Sequence, residues 1–274
     1  MPPGFINLDL TLQSGQVFHW QQNPDRSWSG CIGERLARIH EEAGELVVDD
    51  GDVELINSYL ALDHPLEKIY AAFPSDALSQ QSLTHCRGLR IIRQPRWECL
   101  ATFITSSMKQ VAHIRSMSLA IRDRFGKAVP GCPVAAYPGF QTLAQVRVGD
   151  LLACGLGYRA ENLLKTAQIL TDGKLDLEGI AKLPTKELRQ LLMTLPGVGV
   201  KVANCVLLFA YERLDAVPID VWIHRILMEM RKGRKGTPDQ MARYAQKRLG
   251  SYAGYVQQYL FHSARTTRKR VVKG

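Results

Sequence analysis

Apolar and polar side chains alternate at the start of the chain. Ile6, Leu8, Leu10 and Leu12 are separated by Asn7, Asp9 and Thr11, and a period of two is the spacing of a strand with one buried face. Strand-like runs follow over 27–32, 35–40 and 45–48. The turn formers Asn23-Pro24-Asp25, Gly33-Glu34 and Ala43-Gly44 divide them. This stretch predicts an antiparallel meander.

After Asp52 the apolar spacing becomes helical. Asp52 can cap a helix carrying Leu55, Ile56, Tyr59 and Leu60, and Pro65 opens another containing Ile69, Tyr70 and Phe73. Leu100, Phe103 and Ile104 share a face, as do Val111, Ile114 and Met117. A connector rich in glycine and proline spans 126–139. Helices are then predicted over 149–154, 159–170, 185–195, 198–211, 220–230 and 253–265. Thr237-Pro238-Asp239-Gln240 supplies a full helix start, with a threonine cap, proline at the first position and glutamine three on. The pattern therefore predicts an α+β fold. An N-terminal antiparallel β-sheet domain (1–86) precedes a mainly α-helical region (87–270) containing a helix-hairpin-helix motif, with its hairpin at 195–199. A basic tail carrying Arg265, Arg268, Lys269, Arg270 and Lys273, with 271–274 as its last residues, is read as disordered.

Of the 274 residues, 46% are hydrophobic and 22% charged, the mixture of an ordinary globular chain. No apolar run reaches the length of a bilayer span, and Met1-Pro2-Pro3-Gly4-Phe5 has neither the basic nor the apolar region of a signal peptide. No membrane partner is expected. A monomer in the cytoplasm is, associated with the nucleoid if the source is prokaryotic. The net charge of +9 favours a polyanionic partner. The six cysteines are scattered and none forms a C-x-x-C pair, which argues against a structural zinc or an iron–sulfur cluster. No metal or cofactor is expected.

The chemistry concentrates in Leu195-Pro196-Gly197-Val198-Gly199-Val200-Lys201-Val202-Ala203-Asn204-Cys205. Two glycines in a short link permit positive φ and close backbone approach. Outward-pointing amides of Gly197, Gly199 and Val200, at the positive end of the second helix, would suit a DNA phosphate. A tight helix–helix turn without a ligand needs the same glycines. Lys201 falls in the first turn of that helix, where a cation opposes the helix dipole. The same field and any burial disfavour its ammonium form, and a neutral amine can attack a sugar carbon and form a Schiff base. A solvated surface lysine is the plainer alternative. Asp220, in Val217-Pro218-Ile219-Asp220, precedes an apolar helical run and can serve as its N-cap. A carboxylate there could also stabilise positive charge on a sugar as a glycosidic bond breaks.

These segments together resemble the bifunctional 8-oxoguanine DNA glycosylases of the HhH-GPD superfamily over nearly the whole chain. Ser14-Gly15-Gln16-Val17-Phe18-His19-Trp20 resembles the family's S-G-Q-x-F-x-W, Gly155-Leu156-Gly157-Tyr158-Arg159-Ala160 its G-L-G-Y-R-A, and Gln257-Gln258-Tyr259-Leu260-Phe261 its C-terminal pocket helix. The resemblance implies base flipping in double-stranded damaged DNA, then glycosylase and lyase chemistry. Lys201 would attack C1′ with Asp220 assisting. Cys205 and Phe261 would sandwich the base and Gln257 would read its Watson–Crick edge. The Gly15 carbonyl would accept the N7 hydrogen that guanine lacks. Tyr158 would wedge into the stack, and Arg159 would face the base left unpaired. The chain departs from the family in three places. Ser107-Met108-Lys109-Gln110 replaces an asparagine-rich stretch. His113 replaces an arginine that reads the opposite cytosine, and Trp222 a histidine two after the aspartate. Two alternatives stand beside this one: a related glycosylase for another damaged base, and a DNA-binding protein that uses the hairpin without chemistry.

Overall fold

The computed structural model describes residues 5–267; of the tail read as disordered, Arg265 falls within the last helix and residues 268–274 lie outside the described residues. Strands β1 (Gln21–Gln22), β2 (Trp28–Ile32), β3 (Arg35–Glu42) and β4 (Glu45–Gly51) form one antiparallel sheet in sequential order. Ala43 and Gly44 turn β3 into β4 with φ of 51° and 82°. Positive φ at both central residues gives a turn that matches the twist of the strands. β2 is buried along its whole length. Trp28 and Ile32 belong to the sheet's main core, while Cys31 packs with Val129, Val134 and Ala136 of the 126–139 connector.

The alternating segment at the start is not a strand. It forms helix α1 (Leu8–Gln13), capped by the Asn7 side chain, which accepts from the Leu10 amide at 2.9 Å. Leu8 and Leu12 are two alternations apart but also four residues apart, so they share a helical face, and Thr11 is buried beside them. The cap decided between two periods that this short run satisfies equally.

The rest of the chain is helical, with no further strand among the described residues. Asp52 caps α2 (Val53–Tyr59) and Pro65 opens α3 (Leu66–Ala71), which is followed by α4 (Ala77–His85). α5 (Arg96–Thr105) and α6 (Val111–Phe125) come next, then α7 (Phe140–Ala144), α8 (Val148–Ala153) and α9 (Arg159–Thr171). α10 (Thr185–Leu192) and α11 (Val200–Ala210) flank the hairpin. α10 is shorter than the predicted 185–195. Its end tightens through i→i+3 bonds, Thr194 to Leu191 and Leu195 to Leu192, which close the last carbonyls and turn the chain. α12 (Val221–Met230), α13 (Pro238–Leu249) and α14 (Ala253–Thr267) complete the order, and Thr237 with Gln240 forms the predicted capping box.

α11 is buried continuously from Val202 to Phe209. It packs on α5, where Phe103 and Phe209 stack with centroids 5.4 Å apart. α14 packs against α4, α12 and α13. Leu66, Ile69, Tyr70 and Phe73 join the helical core rather than the sheet core.

One buried ion pair ties α5 to α6. Glu98 meets the Arg122 guanidinium, which also donates to the Ala135 carbonyl at 2.9 Å. Burial lifts the Glu98 carboxyl above its ordinary range, and Arg122 draws it part of the way back. Arg122→Ala would leave that carboxylate buried without its cation. We expect a loss of about 3–5 kcal/mol, read as a lowered urea midpoint. A change under about 1 kcal/mol would mean that water reaches Glu98.

Candidate active site

The hairpin is built from α9 outward. Gly197 has φ +78°, and a Cβ there would lie 2.9 Å from the Asn162 side chain, so glycine is required on both counts. Thr166, also on α9, donates to the Pro196 carbonyl at 3.3 Å. Among the described residues, the amides of Gly197, Gly199 and Val200 find no acceptor. They stand free at the positive end of α11, with open space around Gly199.

Lys201 is half-buried in the first turn of α11. Its Nζ donates to Ser106 Oγ at 3.3 Å and lies 5.1 Å from the Phe103 ring centre. Asp220 caps α12, accepting from the Ile223 amide at 2.8 Å. Asn204 fixes the approach to Asp220: it donates to the Val217 carbonyl at 2.9 Å and accepts from Arg189 at 2.8 Å. Burial raises the Asp220 pKa, while the amides at the α12 start and the Lys201 charge pull it down. Lys201 and Asp220 line one cleft of about 970 Å³, together with Gly15, Phe261 and the loop after α5.

A small inner pocket lies behind this cleft. Gly15, Phe103, Lys201, Cys205, Phe209, Pro218, Asp220, Gln257, Gln258 and Phe261 line an open hollow of about 40 Å³, room for a few waters. The structure thus brings Lys201, Asp220, Gly15, Cys205, Gln257 and Phe261 together. Cys205 sits one turn beyond Lys201, and burial raises its thiol pKa, so it presents a neutral wall. Gln257 is 3% exposed and its Oε1 has no hydrogen-bond partner.

Gly15 is held from three directions. It has φ +85°, and a Cβ would lie 3.1 Å from Val111 and 3.4 Å from Phe261. Gln16 is fully buried, donating to the Arg90 carbonyl at 2.7 Å and accepting from the Ile92 amide at 2.8 Å. From α14, Gln258 donates to the Ser14 carbonyl at 3.1 Å and Arg265 to the Gln13 carbonyl at 2.6 Å.

The remaining candidates lie outside the pocket. Tyr158 is 61% exposed just before α9. Arg159 is buried, with its guanidinium donating to the carbonyls of Ser107 and Leu156 and lying 4.3 Å from the Tyr158 ring. It therefore shapes the 106–110 loop, and it would have to release these carbonyls to meet an unpaired base. His113 is exposed on α6, and Met108, with φ +55°, is 94% exposed at the cleft. Ser106 and Phe103, which touch Lys201, escaped sequence reasoning. They arrive through α5–α11 packing, and no local pattern marks them. Among the described residues, no group of three or more His, Cys, Asp or Glu converges as a metal site.

A helix-hairpin-helix with a lysine at one helix start and an aspartate capping the next defines a base-excision class of protein. Comparison with known proteins narrows this. The model of the HhH-GPD superfamily of base excision DNA repair proteins matches residues 101–251, and that of the 8-oxoguanine DNA glycosylase N-terminal domain matches residues 2–100. A probable N-glycosylase/DNA lyase of Methanothermobacter thermautotrophicus is 31% identical, covering 97% of this chain and 95% of its own. The structure of MBOgg1 in complex with a low-affinity DNA ligand superposes with a TM-score of 0.91 at 30% identity, over 96% of this chain and 93% of that one. The Clostridium acetobutylicum 8-oxoguanine glycosylase/lyase, in complex with double-stranded DNA containing cytosine opposite 8-oxoguanine, gives 0.89 at 26% identity, over 95% and 92%. The chain belongs to the HhH-GPD superfamily, in its 8-oxoguanine N-glycosylase/DNA lyase family.

The raised Asp220 pKa sets a pH dependence. If the ionised carboxylate is the working form, activity falls as pH drops through that pKa. We expect the acid limb of the single-turnover rate to lie above the ordinary aspartate value of about 3.9. Asp220→Asn keeps a good N-cap, so it should retain the melting temperature while losing rate and limb together. An acid limb that survives in Asp220→Asn would assign it to another group.

Proposed function

We propose that this chain excises 8-oxoguanine from duplex DNA and then cleaves the resulting site through a lysine Schiff base. The observation that carries this is the convergence of Lys201 and Asp220 at the mouth of a pocket walled by Gly15, Cys205, Gln257 and Phe261. Flipping is required because the glycosidic bond is out of reach within the stack. The hairpin amides and the basic surface hold phosphates, and Tyr158, Arg159 and His113 act on the DNA around the extruded nucleotide.

The chemistry follows from the two helix starts. Asp220 stabilises positive charge on the sugar as the C1′–N9 bond breaks and the electron pair leaves with the base. The burial that raises its pKa also suits Asp220 to accept a proton from the attacking amine. The neutral amine forms a bond to C1′, the ring oxygen departs with a proton, and an imine remains. Loss of a C2′ proton expels the 3′ phosphate, and water releases Lys201. The enzyme acts as a monomer in the cytoplasm, with no membrane partner; sedimentation of the free chain tests the first of these.

Lys201→Gln tests the central step. Borohydride trapping on an 8-oxoguanine duplex should disappear, with binding retained. Removing a cation from a helix N-terminus relieves about 0.3–1 kcal/mol of unfavourable dipole interaction. The variant should therefore melt no lower than the wild type. Undiminished trapping would eliminate Lys201 as nucleophile.

The opposite strand is read with fewer donors than in relatives. Met108 offers no useful donor, and His113 has no planar fork for bidentate pairing. A bidentate base contact contributes roughly 1–3 kcal/mol of discrimination. The excision-rate gap between cytosine and other opposite bases should accordingly narrow by about tenfold or more against a relative that keeps the asparagine and arginines. A gap as steep as the relative's, over four duplexes differing only in that base, would show that another side chain reads it.

A further inference from the structure

Two of the six cysteines, distant in sequence, meet in the fold. Cys31 lies on β2 and is 1% exposed. Cys132 closes a turn of the 126–139 connector. Pro130 and Gly131 form the centre of that turn, Gly131 with φ +75°, and the Cys132 amide donates to the Val129 carbonyl at 3.0 Å. A Cβ on Gly131 would lie 3.3 Å from the side chain of Leu36, the β3 residue that pairs with Cys31. The turn is thereby set against the sheet beside Cys31. The two thiols are in hydrogen-bond contact, with Cys31 donating to Cys132. Neither residue lines the cleft or the inner pocket that hold Lys201.

The two sulfurs differ in reach and in charge. Cys132 is half-buried and lines a solvent-open hollow of about 390 Å³, with Arg38, Asp50 and Pro133. The hydrogen bond from Cys31 favours its thiolate, and the Val134 amide and the Arg122 charge add to this. Together they outweigh burial and bring the Cys132 thiol down to about 7. About half of it is thiolate at neutral pH. The other five cysteines are buried and their thiols are pushed up, Cys31 by the same hydrogen bond and then by burial, the rest chiefly by burial. Arg122 also donates to Cys31 Sγ at 3.5 Å, a contact that favours a thiolate there once Cys132 is no longer negative. An accessible thiolate with a second sulfur held behind it is the arrangement of a reversible oxidation site.

We propose that Cys132 and Cys31 form a peroxide-reactive pair, in which Cys132 takes the oxidising equivalent and Cys31 resolves it as a disulfide between the connector and β2. The Cys132 thiolate attacks hydrogen peroxide. A sulfur–oxygen bond forms, the oxygen–oxygen bond breaks, and hydroxide leaves to be protonated to water. Cys132 is then a sulfenic acid. Cys31 attacks its sulfur, the sulfur–sulfur bond forms, and the oxygen departs with the Cys31 proton as a second water. Two thiols have lost two electrons and one peroxide has become two waters. The sulfurs close from hydrogen-bond contact to a bond of about 2 Å, and the turn carrying Cys132 supplies the movement. A dithiol reductant reverses the reaction. The pair thus spares Cys132 from irreversible oxidation.

The test treats the reduced full chain with graded hydrogen peroxide, alkylates the remaining thiols in denaturant and maps them by mass spectrometry after digestion without reductant. Cys132 should be lost about tenfold faster than Cys86, Cys99, Cys154 or Cys205. Cys31 should disappear at the same pace as Cys132, into one linked peptide two hydrogens lighter than its parts, and dithiothreitol should restore both. Cys132→Ser should keep Cys31 reduced at the same dose. Cys31→Ala removes the resolving sulfur and the hydrogen bond together. Its Cys132 should react more slowly, be trapped by dimedone as a sulfenic acid, and pass on to a sulfinic acid that dithiothreitol does not restore. Loss of Cys132 no faster than the buried cysteines, or an oxidised Cys132 without a Cys31 link in the wild type, would overturn the proposal. Equal oxidation of Cys31 in Cys132→Ser would do the same. The wild-type map decides the matter even if Cys31→Ala fails to fold, and it reads the same whether or not the chain excises the lesion.

Discussion

Two helix N-termini face one cleft, and the site depends on that arrangement. α11 brings its free amides and Lys201; α12 brings Asp220, which occupies its own cap position. Each start is a region of positive potential. It attracts phosphate and carboxylate. One geometric fact thus presents free amides to the cleft and fixes the orientation of the acid. It also has a stability cost, because a cation in the first turn of a helix is unfavourable. The surroundings show how it is tolerated: Lys201 rests over the Phe103 ring and donates to Ser106, and Asn204 locks the 217–220 segment against α11.

The second constraint is the turn at Gly15. Its positive φ and close neighbours admit little but glycine, yet one residue cannot hold itself at a pocket wall. Gln16 anchors it to the 90–92 segment, and Gln258 and Arg265 reach it from α14. The helix that carries Gln257 and Phe261 therefore also sets the position of Gly15. A shift of α14 would move the three groups together and preserve their mutual geometry.

Much of this was legible from residue order. Strands β2 to β4, the Asp52 and Thr237 caps, the hairpin and the Lys201–Asp220 pair each have a local cause: turn chemistry, capping or a glycine requirement. Neighbours brought together only by tertiary packing were not legible. Nothing near Ser106 or Phe103 marks them as neighbours of Lys201, and nothing in Arg159 shows that its guanidinium is occupied by main-chain carbonyls. The one element misread, 6–12, failed for a specific reason. Leu8 and Leu12 fit both periods, and the deciding signal was the weaker one, Asn7 as a cap. The Glu98–Arg122 pair was equally hidden, since each residue alone resembles an exposed charge on an amphipathic helix.

The inner pocket raises a question of selection. At about 40 Å³ it holds no base until Phe261 or the facing wall moves, and every candidate base meets that cost. The buried Oε1 of Gln257 lacks a partner, and an unsatisfied buried acceptor costs about 1–3 kcal/mol. Donors on a guanine-type Watson–Crick edge relieve it, so the pocket favours bases that carry them. Guanine and its oxidised form carry the same donors there, which means Gln257 cannot separate them. The two differ at C8, where the lesion gains an oxygen, and at N7, a donor in the lesion and an acceptor in guanine. In the proposed complex the Gly15 carbonyl meets N7, attracting one and repelling the other. Selectivity then comes as much from the unfavourable approach of guanine as from the favourable one of the lesion. A rejected guanine must also leave the Gly15 carbonyl without a hydrogen-bond donor inside a closed pocket, and that penalty grows with the tightness of closure. Closure of the pocket on a bound base and the rigid hold on Gly15 therefore have to act together: a loose wall would admit water to the carbonyl and relax the rejection.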